Sequence, residues 1–239
     1  MISGDPPSPR GLLPAREQLR RLVGDPRGAR LVSTTGWPEA EGESRAAAVL
    51  MLFGMLDARS SDHRAHEGAV SRDLDVLLLR RAATLRSHAG QVAFPGGRID
   101  PGDAGPVEAA LREAHEETGL DPDGVEVLGA LEDIPLPYSA HLVTPVLGWW
   151  TRPSSVRVVD VAESAFVFRV PVADLLDPAS RYTSVVERDG RTRTGPAFLV
   201  HAEGVEHLVW GFTAFLLDGL FDALGWTEAW DGERTLVVT

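Results

Sequence analysis

Apolar and polar positions alternate along this chain in two rhythms. Arg45 to Leu56 and Leu74 to Leu79 are almost unbroken apolar runs, the pattern of strands buried on both faces. Between them, Asp57 to Asp73 is polar and breaks the run, as a loop between strands does. A different period follows. Val107, Ala110, Leu111, Ala114 and Thr118 recur at i, i+3, i+4, i+7 and i+11, one stripe of an amphipathic helix. Pro106 suits its first position and Gly119 a left-handed C-terminal cap, so the spacing predicts a helix over 105–118. Strands are expected at Val125 to Ile134, Leu142 to Trp150 and Val161 to Val172. Tyr182 to Val186 and Ala197 to Val200 read as a hairpin turned by Asp189-Gly190. The segment Pro135 to Ala140 is expected to be a loop placed to cover a ligand.

Leu208 to Leu224 reads as an apolar helix whose Phe212, Phe215, Leu216, Leu220 and Phe221 belong to a core. Pro14 to Val23 forms a short amphipathic segment within a Pro- and Gly-rich start. The order of elements predicts an α/β fold, a mixed sheet held between helices. Residues 1–43 are read as an N-terminal extension with a short helix and 44–239 as the main domain.

The chemistry concentrates on the predicted helix. Glu113, Glu116 and Glu117 stand three and four positions apart, so their side chains share one strip. Crowded like charges are costly unless a cation sits among them. Arg112 is an i,i+4 neighbour of both Glu108 and Glu116 and is able to hold a carboxylate in place. The glycine turn Gly96-Gly97 lies just upstream. Carboxylates on a rigid helix beside loop carbonyls make a hard-cation site, with Mg²⁺ or Mn²⁺ the expected occupant.

Composition narrows the partners. The chain has 239 residues with a net charge of −12, which argues against nonspecific nucleic-acid binding. It has no cysteine, so disulfides and thiolate zinc sites are excluded. Its longest apolar run is too short to span a bilayer, and the expectation is a soluble cytoplasmic protein without a membrane partner. All 23 basic residues are arginine, and asparagine is also missing. Both absences follow from a GC-rich genome, so arginine in place of lysine carries no argument at any one position. His63 and His66, three apart in the polar stretch, read as solvated loop residues.

Gly97, Asp103 and the run Arg112-Glu-Ala-His-Glu-Glu-Thr-Gly119-Leu120 together resemble the Nudix box. Asp103 stands where that pattern has glutamate, and one extra residue separates it from Arg112. The insertion leaves the register from Arg112 to Leu120 untouched. Upstream, Leu77-Leu-Leu-Arg-Arg81, Leu85-Arg86-Ser-His88-Ala-Gly90-Gln91-Val and Phe94-Pro-Gly-Gly97 resemble the stretch that marks the coenzyme A pyrophosphatase branch of that family, with Ala82 where the branch often has Ser or Thr. Ser139 to Gly148 and Trp210-Gly-Phe-Thr213-Ala214 extend the resemblance over most of Leu74 to Leu224.

The resemblance implies a Nudix-type α/β/α sandwich and a metal-dependent pyrophosphohydrolase. Metal ligands would be Glu113, Glu116, Glu117 and the Gly97 carbonyl; Arg112 and Glu116 would be catalytic. Glu163 matches a late acid of the family and is a candidate general base or further ligand. Arg81, Arg86, His88 and Gln91 would bind substrate phosphate, because a protein of this net charge must attract an anion locally. The implied substrate is a small nucleotide, coenzyme A or an acyl derivative, giving 3′,5′-ADP and 4′-phosphopantetheine or its acyl form. The alternatives are an ADP-sugar, a dinucleotide or an oxidised nucleoside triphosphate, or a non-catalytic nucleotide sensor. The surplus of aromatics also suits a homodimer contact.

Overall fold

Eleven residues of nearly continuous apolar sequence, Arg45–Met55, form the strand on which both layers of the molecule are built. The computed structural model describes residues 13–25, 30–33, 44–55, 61–65, 70–85, 88–136, 139–188 and 190–238. In chain order these give α1 (Ala15–Gly24), β1 (Arg45–Met55), β2 (Leu74–Arg81), β3 (Val92–Ala93), β4 (Gly96–Arg98) and α2 (Pro106–Thr118). Then come β5 (Val125–Ala130), β6 (Ile134–Leu136), β7 (His141–Trp150), β8 (Ser164–Pro171) and α3 (Val172–Leu176). The chain closes with β9 (Arg181–Arg188), β10 (Arg191–Ala202), β11 (Val205–Trp210), α4 (Phe212–Leu224) and β12 (Thr235–Val238).

The first sheet is mixed. β1 runs parallel to β7 from Arg45↔His141 to Phe53↔Trp149. On its other side β1 changes partner, pairing antiparallel with β4 at Ala47–Val49 and with β2 at Phe53–Met55. At the changeover Leu50 N donates to Pro95 O at 2.8 Å, so the glycine turn is tied to the middle of the sheet. β3 and β8 pair with β2, and β5 and β6 with β7.

The layer that each β1 side chain faces follows the strand's period of two. Ala48, Leu50 and Leu52 face α2 and pack with Ala109, Ala110, Ala114, Val146 and Trp150. Met51 and Phe53 face the opposite layer, which holds α1, α3, α4 and a second sheet ordered β11-β10-β9-β12. The α/β fold with a mixed sheet between helices is therefore present, and the four-stranded second sheet is added to it.

Several sequence boundaries move. Val125 to Ile134 is two strands, β5 and β6. Pro135 and Leu136 belong to β6, not to a loop, while 137 and 138 lie outside the described residues. The expected strand 161–172 begins at Ser164; 161–163 form a turn and Val172 opens α3. Leu208 does not start a helix but continues β11, and Gly211, at φ 66°, separates strand from helix. That left-handed corner suits glycine. In α4, Leu216, Leu220 and Phe221 are buried, with Phe212 and Phe215 packed against the same core.

Helix α1 also joins this core: Leu19 and Leu22 are buried in it, and Gln18 Oε1 accepts from Trp226 Nε1 at 2.9 Å. Arg16 and Arg20 both pair with Glu126 of β5. Among the described residues, no helix is long and apolar enough to cross a membrane.

Candidate active site

The site is set by how tightly the glycine turn lies under α2. A Cβ on Gly97 would come within 2.4–2.6 Å of the Glu113 carboxylate, so only glycine leaves that carboxylate its place. One residue earlier, Gly96 N donates to Glu117 Oε2 at 2.9 Å. Two carboxylates from successive turns thus bracket the glycine pair. β4 presents this turn because Gly97 pairs with Ala48, whose side chain is small and points towards α2.

The helix holding these acids is well terminated. Pro106 occupies its first turn, and Glu108 Oε2 accepts from Ala104 N at 2.6 Å. Glu108 therefore closes the N-terminus rather than bonding Arg112. At the far end Gly119 (φ 68°) donates its N–H to His115 O, and Thr118 Oγ1 donates to Ala114 O at 2.6 Å.

Arg112 organises the exposed edge. Its Nε and one Nη donate to the two oxygens of Asp103, each at 3.0 Å, and the second of these donors also meets Arg98 O at 3.0 Å. Its remaining Nη donates to Glu113 Oε1 at 2.9 Å and Glu116 Oε2 at 3.1 Å. Asp103, despite the one-residue insertion before the helix, thus receives a bidentate guanidinium, which holds its pKa below the ordinary value. Arg112 is in turn held more firmly protonated by Asp103.

The three glutamates share one strip but divide in direction. Glu113 and Glu116 turn to Arg112, while Glu117 turns inward, 7% exposed, to Gly96. Among the described residues, no three acidic or histidine side chains gather into a ready metal cage. Burial pushes the Glu117 carboxyl up to about 7, against the lowering effects of the Gly96 N–H and of Arg81. Glu113 is also raised, chiefly by burial. A buried carboxylate destabilised in its charged form is a site that a cation would favour.

Arg81, at the end of β2, brings its guanidinium to 3.9 Å from Glu117. Its backbone N–H donates to Gln91 O at 2.9 Å, which carries the 88–91 turn to the same edge. In that turn His88 Nδ1 lies 2.9 Å from Gln91 Oε1, and His88 adopts φ 55°. Arg86 lies outside the described residues. Glu163 is an exposed residue of the turn before β8; its carbonyl accepts from Ala82 N at 2.8 Å, and its charge contributes to the raised pKa of Glu117.

The structure therefore brings Gly97, Glu113, Glu116, Glu117, Arg112, Arg81 and Glu163 to one place. His88 and Gln91 stand at its rim. The Gly96 N–H was not legible as a donor, because backbone donors carry no residue signature. His63, expected in a solvated loop, instead lies 3.0 Å from Glu228 and 3.8 Å from Asp177. His66 is outside the described residues.

Comparison with known proteins places these residues in context. The NUDIX domain family matches residues 63–183, a span that contains the glycine turn, α2 and Glu163. The uncharacterized Nudix hydrolase NudL of Photorhabdus laumondii is 42% identical over 146 residues, 61% of this chain and 74% of that protein. The uncharacterized Nudix hydrolase NudL of Cronobacter sakazakii is 38% identical over 63% of this chain and 75% of its own length. Among solved structures, the Nudix hydrolase RenU of M. smegmatis aligns with a TM-score of 0.44 at 23% identity, over 60% of this chain and 83% of that one.

Proposed function

Because the chain belongs to the Nudix hydrolase family, we propose that it is a divalent-metal-dependent pyrophosphohydrolase that splits the phosphoanhydride of coenzyme A or acyl-coenzyme A. The products are 3′,5′-ADP and 4′-phosphopantetheine or its acyl form. The observation that carries this reading is the continuity of one segment. The stretch from Arg81 to Gly97, which resembles the coenzyme A branch, begins with a guanidinium 3.9 Å from Glu117 and ends in the glycine turn against Glu113.

The donor set fits a hard cation: Glu113, Glu116, Glu117 and the Gly97 carbonyl would hold Mg²⁺ or Mn²⁺, all through oxygen. When bound, such a cation neutralises charge on the diphosphate and makes a bound water more acidic. The chain's own groups do the rest. Arg112 keeps Glu113 and Glu116 oriented, with Asp103 fixing the guanidinium from behind. Arg81 supplies a donor to the flanking phosphate, with His88 and Gln91 extending that edge. Glu163 is the proton acceptor for the attacking water, because it stands near Glu117 without being drawn into the glycine turn.

The deciding experiment is incubation of the protein with coenzyme A, with and without Mg²⁺ or Mn²⁺, and mass identification of both fragments. Metal-dependent release of 4′-phosphopantetheine and 3′,5′-ADP is expected. Turnover of an ADP-sugar or dinucleotide with coenzyme A left intact would reject the substrate while keeping the chemistry.

A further inference from the structure

On the face of the first sheet turned away from α2, three basic side chains stand on three adjacent strands. Arg98 of β4 pairs with Ala47 of β1, two positions from Arg45, and Arg45 is in register with His141 of β7. Paired residues project to one side of a sheet and positions i and i+2 share a face, so Arg98, Arg45 and His141 lie on the same side. Gly97, one step before Arg98, faces the other way towards Glu113, and Ala48 follows it into the α2 layer. Direct neighbours and diagonal ones, roughly 7–8 Å apart, are within reach of long side chains.

Like charges opposed across strands are destabilising, and this chain has acids to spare, 35 against 23 arginines. Yet among the described residues neither Arg45 nor Arg98 pairs its guanidinium with a carboxylate; Arg45 reaches only Ser139 O, at 3.5 Å. Both arginines are exposed and His141 is half-buried. The field is felt locally: after burial, Arg45, Arg98 and His88 each hold the His141 pKa down, opposed by a backbone hydrogen bond at Ser139. The cluster is also tied to the reaction centre, since Arg98 O accepts from Arg112.

We propose that Arg45, Arg98 and His141 form a subsite for a phosphate monoester, the dianion that the substrate proposed above carries on its ribose outside the cleaved diphosphate; the identity of that group rests on that reading. Two guanidiniums match the charge of a phosphate monoester and offer it forked donors from separate strands. His141, at the start of β7, places its imidazole on the same face directly beside Arg45. A substrate spanning from Arg81 past the glycine turn to this cluster is thereby held at both ends, with the scissile linkage between.

The test is calorimetric binding of 3′,5′-ADP and of 5′-AMP to the intact protein, and then to Arg45→Gln, Arg98→Gln and the double variant. The native protein is expected to bind 3′,5′-ADP at least about tenfold more tightly than 5′-AMP. Each single substitution shrinks that ratio and the double one brings it to about one, while Arg98→Lys keeps most of it. Equal binding of the two nucleotides, no binding of either, or a preference that survives the double substitution would overturn the subsite. Failure to hydrolyse coenzyme A while the preference follows Arg45 and Arg98 would instead reject the reaction and leave the subsite standing.

Discussion

Gly96 and Gly97 are neighbours with opposite tolerances. A methyl on Gly96 would meet Ala48 O at 2.3 Å and Val49 Cα at 2.7 Å, backbone atoms of the central strand that have nowhere to go. On Gly97 its three nearest atoms would be those at the end of the flexible Glu113 side chain. Gly96→Ala is therefore expected to cost about 1–3 kcal/mol in a denaturant melt. Gly97→Ala should leave stability within about 1 kcal/mol of native but lose most turnover, because Glu113 is displaced from the turn. Equal losses of stability in the two variants would contradict this division. Glu116, 57% exposed and, among the described residues, bonded to Arg112 alone, carries little of the fold. Glu116→Gln is expected to lower kcat by about two orders of magnitude or more with an unchanged melt. Full activity at saturating Mg²⁺ would remove Glu116 from the ligand set.

Helix α2 works as a unit because one side chain joins its edge to the loop before it. The Arg112 fork spends its donors on Asp103, Glu113, Glu116 and Arg98 O, a distribution that a single ammonium cannot reproduce. Arg112→Lys should keep the helix but lose most turnover, and a crystal structure of the variant should show Asp103 released from the helix edge; near-native kcat would show that the fork is dispensable. This element was the most legible in the sequence, since an apolar stripe, a proline start and a glycine stop agree on its boundaries. β1 was nearly as clear, being buried on both faces. The second sheet was not. Its hairpin extends through Arg191 and Thr192, exposed residues at its tip beyond the pairing with β11 and β12, where no core imposes alternation, so only the apolar ends of β9 and β10 stood out. Leu208 to Leu224 hid the end of β11 and the start of α4 in one apolar stretch, because both are buried and period alone cannot separate them. The Arg98–Arg45–His141 cluster was invisible for another reason: register across three strands is tertiary information.

At the scale of the whole molecule the two sheets meet through buried aromatic contacts, and one of them titrates. His207 of β11 stacks on Phe168 of β8 with ring centroids 4.0 Å apart and touches Phe166 edge-on. Burial, and then Arg80, lower its pKa below the ordinary value of 6.5. Below that value the unfolded chain takes up a proton that the folded chain resists. Stability from this group is thus complete above pH 6.5 and is lost as pH falls towards the folded pKa. The slope for one proton cannot exceed about 1.4 kcal/mol per pH unit. Glu117 acts in the opposite sense. Its carboxyl, raised to about 7, penalises the metal-free fold as pH rises from its ordinary 4.5, so acidification relieves it. Both effects act below pH 6.5, and a wild-type pH profile alone mixes them. His207→Phe keeps an aromatic ring against Phe168 but removes the titration. Between pH 7 and 5 the variant is therefore expected to lose less stability than the native protein, the difference between their denaturant midpoints widening as pH falls. Parallel profiles would mean that the junction between the sheets is indifferent to the charge of His207, and that its stacking alone matters there.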